Sequence, residues 1–269
     1  MSNAAEEPTI DLLFDKLWRS YVEITPQAEA VHALLRERGD SIDNDHVALR
    51  TFGVPAIGLE SMARVFTELG FEERDSYVFE VKKLRACYYY REGLPKVFIS
   101  ELDMEAMPAD VRAVIDSLLA QIPPGFTDDP AWLAAGRPWI LSRSDYQLLA
   151  DHSDYASWVA VHGFRANHFT VDVDSLQSVA SIGELTEVLS RAGFVLNDSG
   201  GVIKGSPDVL LEQASTRADQ LDVELEGGPL VVPTCYVEFA KRYRAADGTL
   251  YQGFVASSAD KIFESTTRE

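Results

Sequence analysis

Alternating apolar and polar positions mark residues 44–53 as a strand. Residues four apart share a face on a helix as well, but the β-branched and apolar side chains of this segment favour the strand. His46 and Arg50 lie on one face, the opposite face is apolar, and Gly53 ends the run. The pattern predicts one strand of a barrel wall, packed on helices outside and lining a polar cavity inside.

The same pattern recurs at residues 165–173, where His168 lies on the less apolar face. A third predicted strand, at residues 230–240, places Glu238 opposite in parity to its apolar neighbours. Imidazole and carboxylate groups are common metal ligands. Three predicted strands therefore each offer one side chain that is able to bind a metal ion.

The segments that follow the two histidines also match. Each histidine strand is followed by an amphipathic helix that ends at a glycine, Gly70 or Gly193, and then by three strands. The helices are predicted at Gly58–Leu69 and Ser181–Ala192, and the strands at Tyr77–Phe79, Leu84–Tyr90 and Lys96–Glu101 in the first unit and at Val202–Ile203, Val209–Ala214 and Leu230–Ala240 in the second. A duplicated β-α-β-β-β unit explains this correspondence.

The remaining segments are mostly helical. We predict helices at Ile10–Ile24, Gln27–Arg38, Val111–Ile122, Pro130–Ala135, Ser144–Asp151 and Tyr155–Val161, a last strand at Leu250–Val255, and a loop at Ser257–Thr266. His32, His152 and His162 belong to these helical regions, where packing or capping is the expected role.

The sequence thus predicts an α+β fold, a barrel of two β-α-β-β-β units with a helical insertion and N-terminal helices. We expect one domain over residues 1–269, made of N-terminal helices (10–40), a first unit (44–103), the insertion (104–163), a second unit (164–241), and a C-terminal strand and tail (242–269).

The composition narrows the classes of function. A formal charge of −19 argues against nucleic-acid and anionic-membrane partners, because both require a basic surface. No apolar run reaches the roughly 18 residues that a membrane-spanning helix needs. The two cysteines, Cys87 and Cys235, argue against a disulfide framework and favour a reducing cytoplasm. We therefore expect small-molecule partners.

Two histidines and one carboxylate on separate strands form the ligand set of a facial triad. This set leaves up to three adjacent positions open on an octahedral ion and favours Fe(II) in oxygen-dependent enzymes. Zinc is the competing metal, since two histidines and a glutamate also form catalytic zinc sites. The sequence has no helical zinc-protease motif, no phosphate-binding glycine-rich loop, no nucleophile elbow and no paired zinc cysteines.

Four motifs resemble the 2-oxoadipate dioxygenase/decarboxylase family of the vicinal oxygen chelate superfamily. They are Asp45–Phe52, Ala166–Thr170, Tyr236–Ala240 and Ser258–Thr266, and the resemblance extends over nearly the whole chain. It implies a non-haem Fe(II) enzyme of lysine degradation that converts 2-oxoadipate and O₂ to D-2-hydroxyglutarate and CO₂. It also implies that His46, His168 and Glu238 bind the iron, that Arg50 holds the distal carboxylate, and that both histidines border the substrate.

Two alternatives remain open from the residues. One is a glyoxalase-like isomerase or lyase that uses zinc, nickel or manganese, with Glu101 as a fourth ligand. The other is a metal-free protein of the same fold that binds small molecules. Some members of the family extend further near the C-terminus, where they make additional substrate contacts. In this chain only Gly253–Ser258 is expected to supply such contacts.

Overall fold

An eight-stranded mixed sheet, curled into a half-barrel, forms the centre of the computed structural model, which describes residues 10–267. The strands are β1 (Asn44–Phe52), β2 (Glu72–Phe79), β3 (Leu84–Tyr90), β4 (Lys96–Leu102), β5 (Ala166–Asp172), β6 (Lys204–Ser206), β7 (Leu211–Ser215), β8 (Gln220–Val223), β9 (Leu230–Pro233) and β10 (Glu238–Arg242). The helices are α1 (Ile10–Val22), α2 (Pro26–Glu37), α3 (Leu59–Glu68), α4 (Ala109–Leu119), α5 (Arg143–His152), α6 (Asp154–His162), α7 (Ile182–Arg191) and α8 (Ala256–Ile262). Short 3₁₀ turns lie at Pro130–Ala134, Val173–Ser175, Pro207–Val209 and Phe263–Thr266.

The strand order of the sheet, β2-β3-β4-β1-β5-β10-β7-β6, is symmetric about its centre. In each half, the first strand runs parallel to the last strand of its unit, as β1 does to β4 and β5 does to β10. The outer strands of each half pair antiparallel, and β1 meets β5 antiparallel in the middle. Two copies of one β-α-β-β-β unit therefore lie side by side, and the predicted fold class is confirmed.

Helices cover the apolar side of this sheet. The buried side chains of α1 are Leu13, Leu17 and Tyr21, spaced four residues apart, so they form one stripe that packs on β5. Burying each such side chain contributes about 1.5–3 kcal/mol. Tyr21 also donates a hydrogen bond to the carbonyl of Tyr236, 2.6 Å away, which fixes α1 against the start of β10. Within residues 10–267, no helix is long and apolar enough to span a membrane.

The single strand predicted at Leu230–Ala240 is two strands. β9 pairs with β8 in a separate two-stranded sheet, whereas β10 joins the main sheet. Pro233 has no N–H to continue a ladder. Thr234 still donates to the carbonyl of Asp219, in register with the β8–β9 pairs, but Val237 donates to the side-chain hydroxyl of Thr216. The chain therefore changes sheets just before Glu238.

The C-terminal prediction was wrong in its elements. The segment predicted as a strand, Leu250–Val255, makes only an isolated bridge between Leu250 and Arg244, and the predicted loop is helix α8 followed by a 3₁₀ turn. Ala259, Ile262 and Phe263 explain the helix, because positions three and four apart fall on one helical face. That face covers the polar cavity of the sheet.

Candidate metal centre

Three buried side chains from adjacent strands converge at the middle of the sheet. His46 lies on β1, His168 on β5 and Glu238 on β10, and they expose 2%, 6% and 1% of their surface. Nε2 of His168 is 3.0 Å from Oε2 of Glu238, and Nε2 of His46 is 3.7 Å from Oε1. The two Nε2 atoms are 3.4 Å apart, and all three potential ligand atoms lie within 4.8 Å of one another.

The strand register explains this convergence. Thr170 pairs with His46 on one side and with Glu238 on the other, so these three residues form a row across β1, β5 and β10. Directly paired residues share a face of a sheet, and so do residues two apart on one strand. His168, two residues before Thr170, therefore points into the same cavity.

Hydrogen bonds fix the orientation of both imidazole rings. Nδ1 of His46 donates to Oδ1 of Asp45 at 2.7 Å, and Nδ1 of His168 donates to Oδ1 of Asn167 at 3.0 Å. Each ring then presents the Nε2 lone pair to the centre. Such outer partners orient metal-binding histidines and make them better ligands.

The carboxylate behind His46 is held by two cations. Nε and Nη2 of Arg242 donate to the two oxygens of Asp45 at 2.6 and 2.9 Å, and Nζ of Lys96 lies 3.4 Å from Oδ2. Burial favours the protonated form of Asp45, but Arg242 and His46 outweigh burial and hold the pKa of this carboxyl well below its usual range. Asp45 is therefore an acceptor only, which fixes the proton of His46 on Nδ1.

Glu238 is also ionised. Burial acts to raise its pKa, but the two histidines and the amide of Gln213, which donates to Oε1 at 2.6 Å, together lower the pKa below its ordinary value. Burial lowers the pKa of His168 although Glu238 acts to raise it, and this favours the neutral ring. Two lone pairs and a carboxylate therefore face one another in a buried space. A divalent cation between them is the group that this donor set fits.

Arg50 projects from β1 into the same cavity. Its Nη1 donates to the hydroxyl of Thr266 at 3.1 Å, whereas Nε and Nη2 have no partner among the described residues. The guanidinium is 2% exposed and lies about 5 Å from the rings of Tyr155, Trp158 and Phe263. An unsatisfied buried guanidinium is costly, and a carboxylate is the ligand that satisfies it in a bidentate manner.

The chain matches a family model described as 2-oxoadipate dioxygenase/decarboxylase over residues 4–124 and 126–249. The chain belongs to this family. A 2-oxoadipate dioxygenase/decarboxylase from Oryza sativa subsp. japonica, described as chloroplastic/amyloplastic, is 34% identical over 93% of this chain and 76% of its own length.

Two solved structures resemble this family member closely. The hydroxyglutarate synthase of Oryza sativa, in complex with 2-oxoadipate, is 31% identical with a TM-score of 0.90, and the match covers 99% of this chain and 98% of that one. A Shewanella frigidimarina NCIMB 400 protein, described as a hydrolase, is 43% identical with a TM-score of 0.89 and coverages of 93% and 99%. A glyoxalase superfamily protein from Ralstonia eutropha JMP134 shares the fold, with a TM-score of 0.73 at 20% identity over 95% of this chain and 90% of that one.

Glu101, considered from the sequence as a fourth ligand, does not lie in the site of this family member. Ala48 in the first unit corresponds to Thr170 in the second. Glu238 pairs with Thr170, whereas the residue that pairs with Ala48 is Phe98. Glu101 lies three residues further along β4, so it projects from the other face. There it accepts a hydrogen bond from the amide of Leu59 at 2.8 Å and caps α3.

Two histidines of the helical insertion also lie outside the cluster. His152 is exposed, and its Nδ1 donates to the carbonyl of Leu148 at 2.9 Å. His162 is buried, and its Nε2 donates to the carbonyl of Pro233 at 2.8 Å. The capping and packing roles expected from the sequence agree with these contacts.

The sequence-based reasoning missed the residues that support the ligands. Asp45 and Asn167 each precede a histidine at the same place in the repeated unit, and that repetition was an available signal. Arg242 and Gln213 have no such signal, since only the sheet brings them to Asp45 and Glu238. The C-terminal contacts include Phe254 but extend further than Gly253–Ser258, because Ala259, Ile262 and Phe263 also border the cavity and Thr266 accepts a hydrogen bond from Arg50.

Proposed function

We propose that this protein is an Fe(II)-dependent dioxygenase/decarboxylase that converts 2-oxoadipate, or a related 2-oxo acid, and O₂ to D-2-hydroxyglutarate and CO₂. One observation carries the proposal. A cluster of two histidines and a glutamate shares its buried cavity with Arg50, whose guanidinium has two unpartnered nitrogens. The family to which the chain belongs and the 2-oxoadipate in the Oryza sativa complex support this substrate class.

His46, His168 and Glu238 would hold the metal. The keto and carboxylate oxygens of a 2-oxo acid can chelate Fe(II) held there, and Fe(II) would supply the redox chemistry with O₂. All three residues come from neighbouring strands of one sheet and border the same cavity as Arg50, where the 2-oxo acid would bind.

The other residues bind the substrate and exclude water. Arg50 would pair with the carboxylate remote from the 2-oxo group, while Ala48 and Phe98 border the apolar path between Arg50 and the ligands. In a strand the Cα atoms of His46 and Arg50 are about 13 Å apart, so a ligand that contacts both ends needs a carbon chain between two polar groups. Phe254 packs edge-on against His46, 4.8 Å between centroids, and shields the cluster from solvent.

Anaerobic Fe(II) reconstitution followed by oxygen-electrode assays tests the function. We expect oxygen uptake with 2-oxoadipate and equimolar release of CO₂. The matched control substrate is 2-oxohexanoate, which has the same chain length but lacks the distal carboxylate, and it should react poorly. Oxygen consumption with neither 2-oxoadipate, 2-oxoglutarate nor a longer 2-oxo dicarboxylate would reject the proposal.

The same geometry disfavours the two alternative functions, a glyoxalase-like enzyme and a metal-free binding protein. A glyoxalase-like site with Glu101 as fourth ligand is disfavoured, because Glu101 caps α3 instead. A metal-free binding protein would have no use for two imidazole lone pairs directed at an ionised carboxylate. Both cysteines are free and buried, which is compatible with the reducing cytoplasm that we propose as the compartment.

A further inference from the structure

A second cavity adjoins the metal-centre cavity and shares two residues with it, Arg50 and Phe263. Its other lining residues include Lys82, Lys83 and His152. Lys83 and His152 are exposed, whereas Arg50 is buried, so this outer cavity leads from solvent to the guanidinium. Phe263 therefore borders both cavities.

Positive charge lines this outer cavity in a chain whose formal charge is −19. Lys82 is paired with Glu264 at 2.6 Å and lies 3.9 Å from Asp260, so it attaches the C-terminal covering segment to the turn between β2 and β3. Asp154 also borders the cavity. Lys83 forms no salt bridge within residues 10–267, and the same is true of Arg50. These two cations mark the outer and inner ends of the cavity.

The backbone of Lys83 is in the left-handed region, with φ of 55°. This conformation costs a residue with a Cβ about 1–2 kcal/mol, and glycine or asparagine would fit the turn better. Residues in such conformations concentrate at functional sites. A lysine at this position places an ammonium group at the mouth of the cavity at the expense of local stability.

We propose that the outer cavity is the entrance of the active site, and that Lys83 attracts a carboxylate of the 2-oxo acid before Arg50 binds it. The inference rests on the proposed function, since it takes a 2-oxo dicarboxylate as the substrate. The metal cluster is too deeply buried for direct access. The route past Phe263 requires movement of the segment that Lys82 holds through Glu264.

The test compares Lys83→Asn, which removes the charge and tolerates the left-handed backbone, with Lys83→Arg, which retains the charge. Arg191→Gln is the matched control, because it removes one positive charge from α7 and borders neither cavity. Steady-state rates with 2-oxoadipate are measured at about 0.01 M and about 1 M salt, where the screening length falls from about 30 Å to about 3 Å.

At low salt, Lys83→Asn should lower kcat/KM roughly three- to tenfold and leave kcat unchanged, because the charge acts on encounter and not on chemistry. The difference should disappear at high salt. Lys83→Arg and Arg191→Gln should match the wild type at both concentrations, and the Tm of Lys83→Asn should not fall. If Lys83→Asn keeps the wild-type kcat/KM at low salt, the proposed role of Lys83 at the entrance is wrong, but the proposed function still stands. A wild-type enzyme that turns over no 2-oxo acid overturns both.

Discussion

The two halves of the sheet have the same strand order but different chemistry at equivalent positions. Asp45 supports His46 in the first unit, whereas the neutral Asn167 supports His168 in the second. The place of Glu238 in the second unit is taken by Phe98 in the first. A duplicated unit therefore supplies two similar histidines, while the carboxylate of the cluster comes from the second unit alone.

Arg50 and Asp172 show the same divergence. Each lies four residues after its histidine, but Arg50 points into the cavity and binds Thr266, whereas Asp172 accepts a hydrogen bond from the amide of Asp174 and caps a 3₁₀ turn. In the proposed function, the first unit would provide the group that binds the substrate carboxylate, and the second would provide the negative charge that binds the metal.

The largest expected effect is on the metal itself. Glu238→Ala should abolish stoichiometric Fe(II) binding, because two neutral imidazoles remain as ligands without a charge to oppose that of the ion. Metal analysis after anaerobic reconstitution and desalting measures this loss. The matched control is Glu101→Gln in the first unit, which should retain the metal and lower the free energy of unfolding through the weakened cap of α3 and the loss of the ion pair with Arg85. Loss of metal in Glu101→Gln would contradict the assignment of the single carboxylate.

The second effect is on the substrate. Arg50→Met should raise KM for 2-oxoadipate roughly 100-fold, because a charge-assisted bidentate contact contributes about 2–3 kcal/mol. The KM for the monocarboxylate 2-oxohexanoate should change little. Asp172→Asn, at the equivalent position of the second unit, should leave the ratio of the two KM values unaltered. An equal rise for both substrates in Arg50→Met would contradict the role of the guanidinium.

Local patterns predicted which histidines join the cluster, because the strand period and the internal duplication were sufficient. A period of two places His46 and Arg50 on one face, and the duplication identifies His168 by its place in the unit. That Phe98, and not Glu101, takes the place of Glu238 in the first unit depends on the register of β4 against β1, which no local pattern encodes. Arg242 reaches Asp45 across 197 positions of sequence, so its role required the folded sheet. Helix α8 was missed because the strand-like segment before it obscured the helical spacing of its few apolar residues.

The third prediction concerns a substitution that gives His46 the same neutral partner that Asn167 provides to His168. Asp45→Asn should weaken Fe(II) binding roughly tenfold, because outer partners of metal-binding histidines typically contribute 10–100-fold to affinity. It should also lower the Tm, since Arg242 and Lys96 lose the carboxylate that they share in a buried site. A competitive titration against a metal-binding dye gives the affinity, and calorimetry gives the Tm. Unchanged affinity with a lowered Tm would assign Asp45 a purely structural role.

The smallest expected effect has the opposite sign. The hydroxyl of Thr170 lies 3.0 Å from Nε2 of His46 and donates to the lone pair that a metal ion requires. Ala48, the equivalent residue in the first unit, pairs with His168 and has no hydroxyl to compete for its Nε2. A neutral hydrogen bond contributes about 0.5–1.5 kcal/mol, so Thr170→Val should tighten Fe(II) binding roughly two- to tenfold.

The reverse change, Ala48→Ser, introduces a hydroxyl opposite His168 and should weaken binding by a similar factor. The same dye titration measures both variants, and the two shifts should be opposite in direction. Weaker binding in Thr170→Val would mean that the hydroxyl supports the bound metal and does not compete with it. The metal site would then consist of four residues, His46, His168, Thr170 and Glu238, and the second unit would contribute three of them.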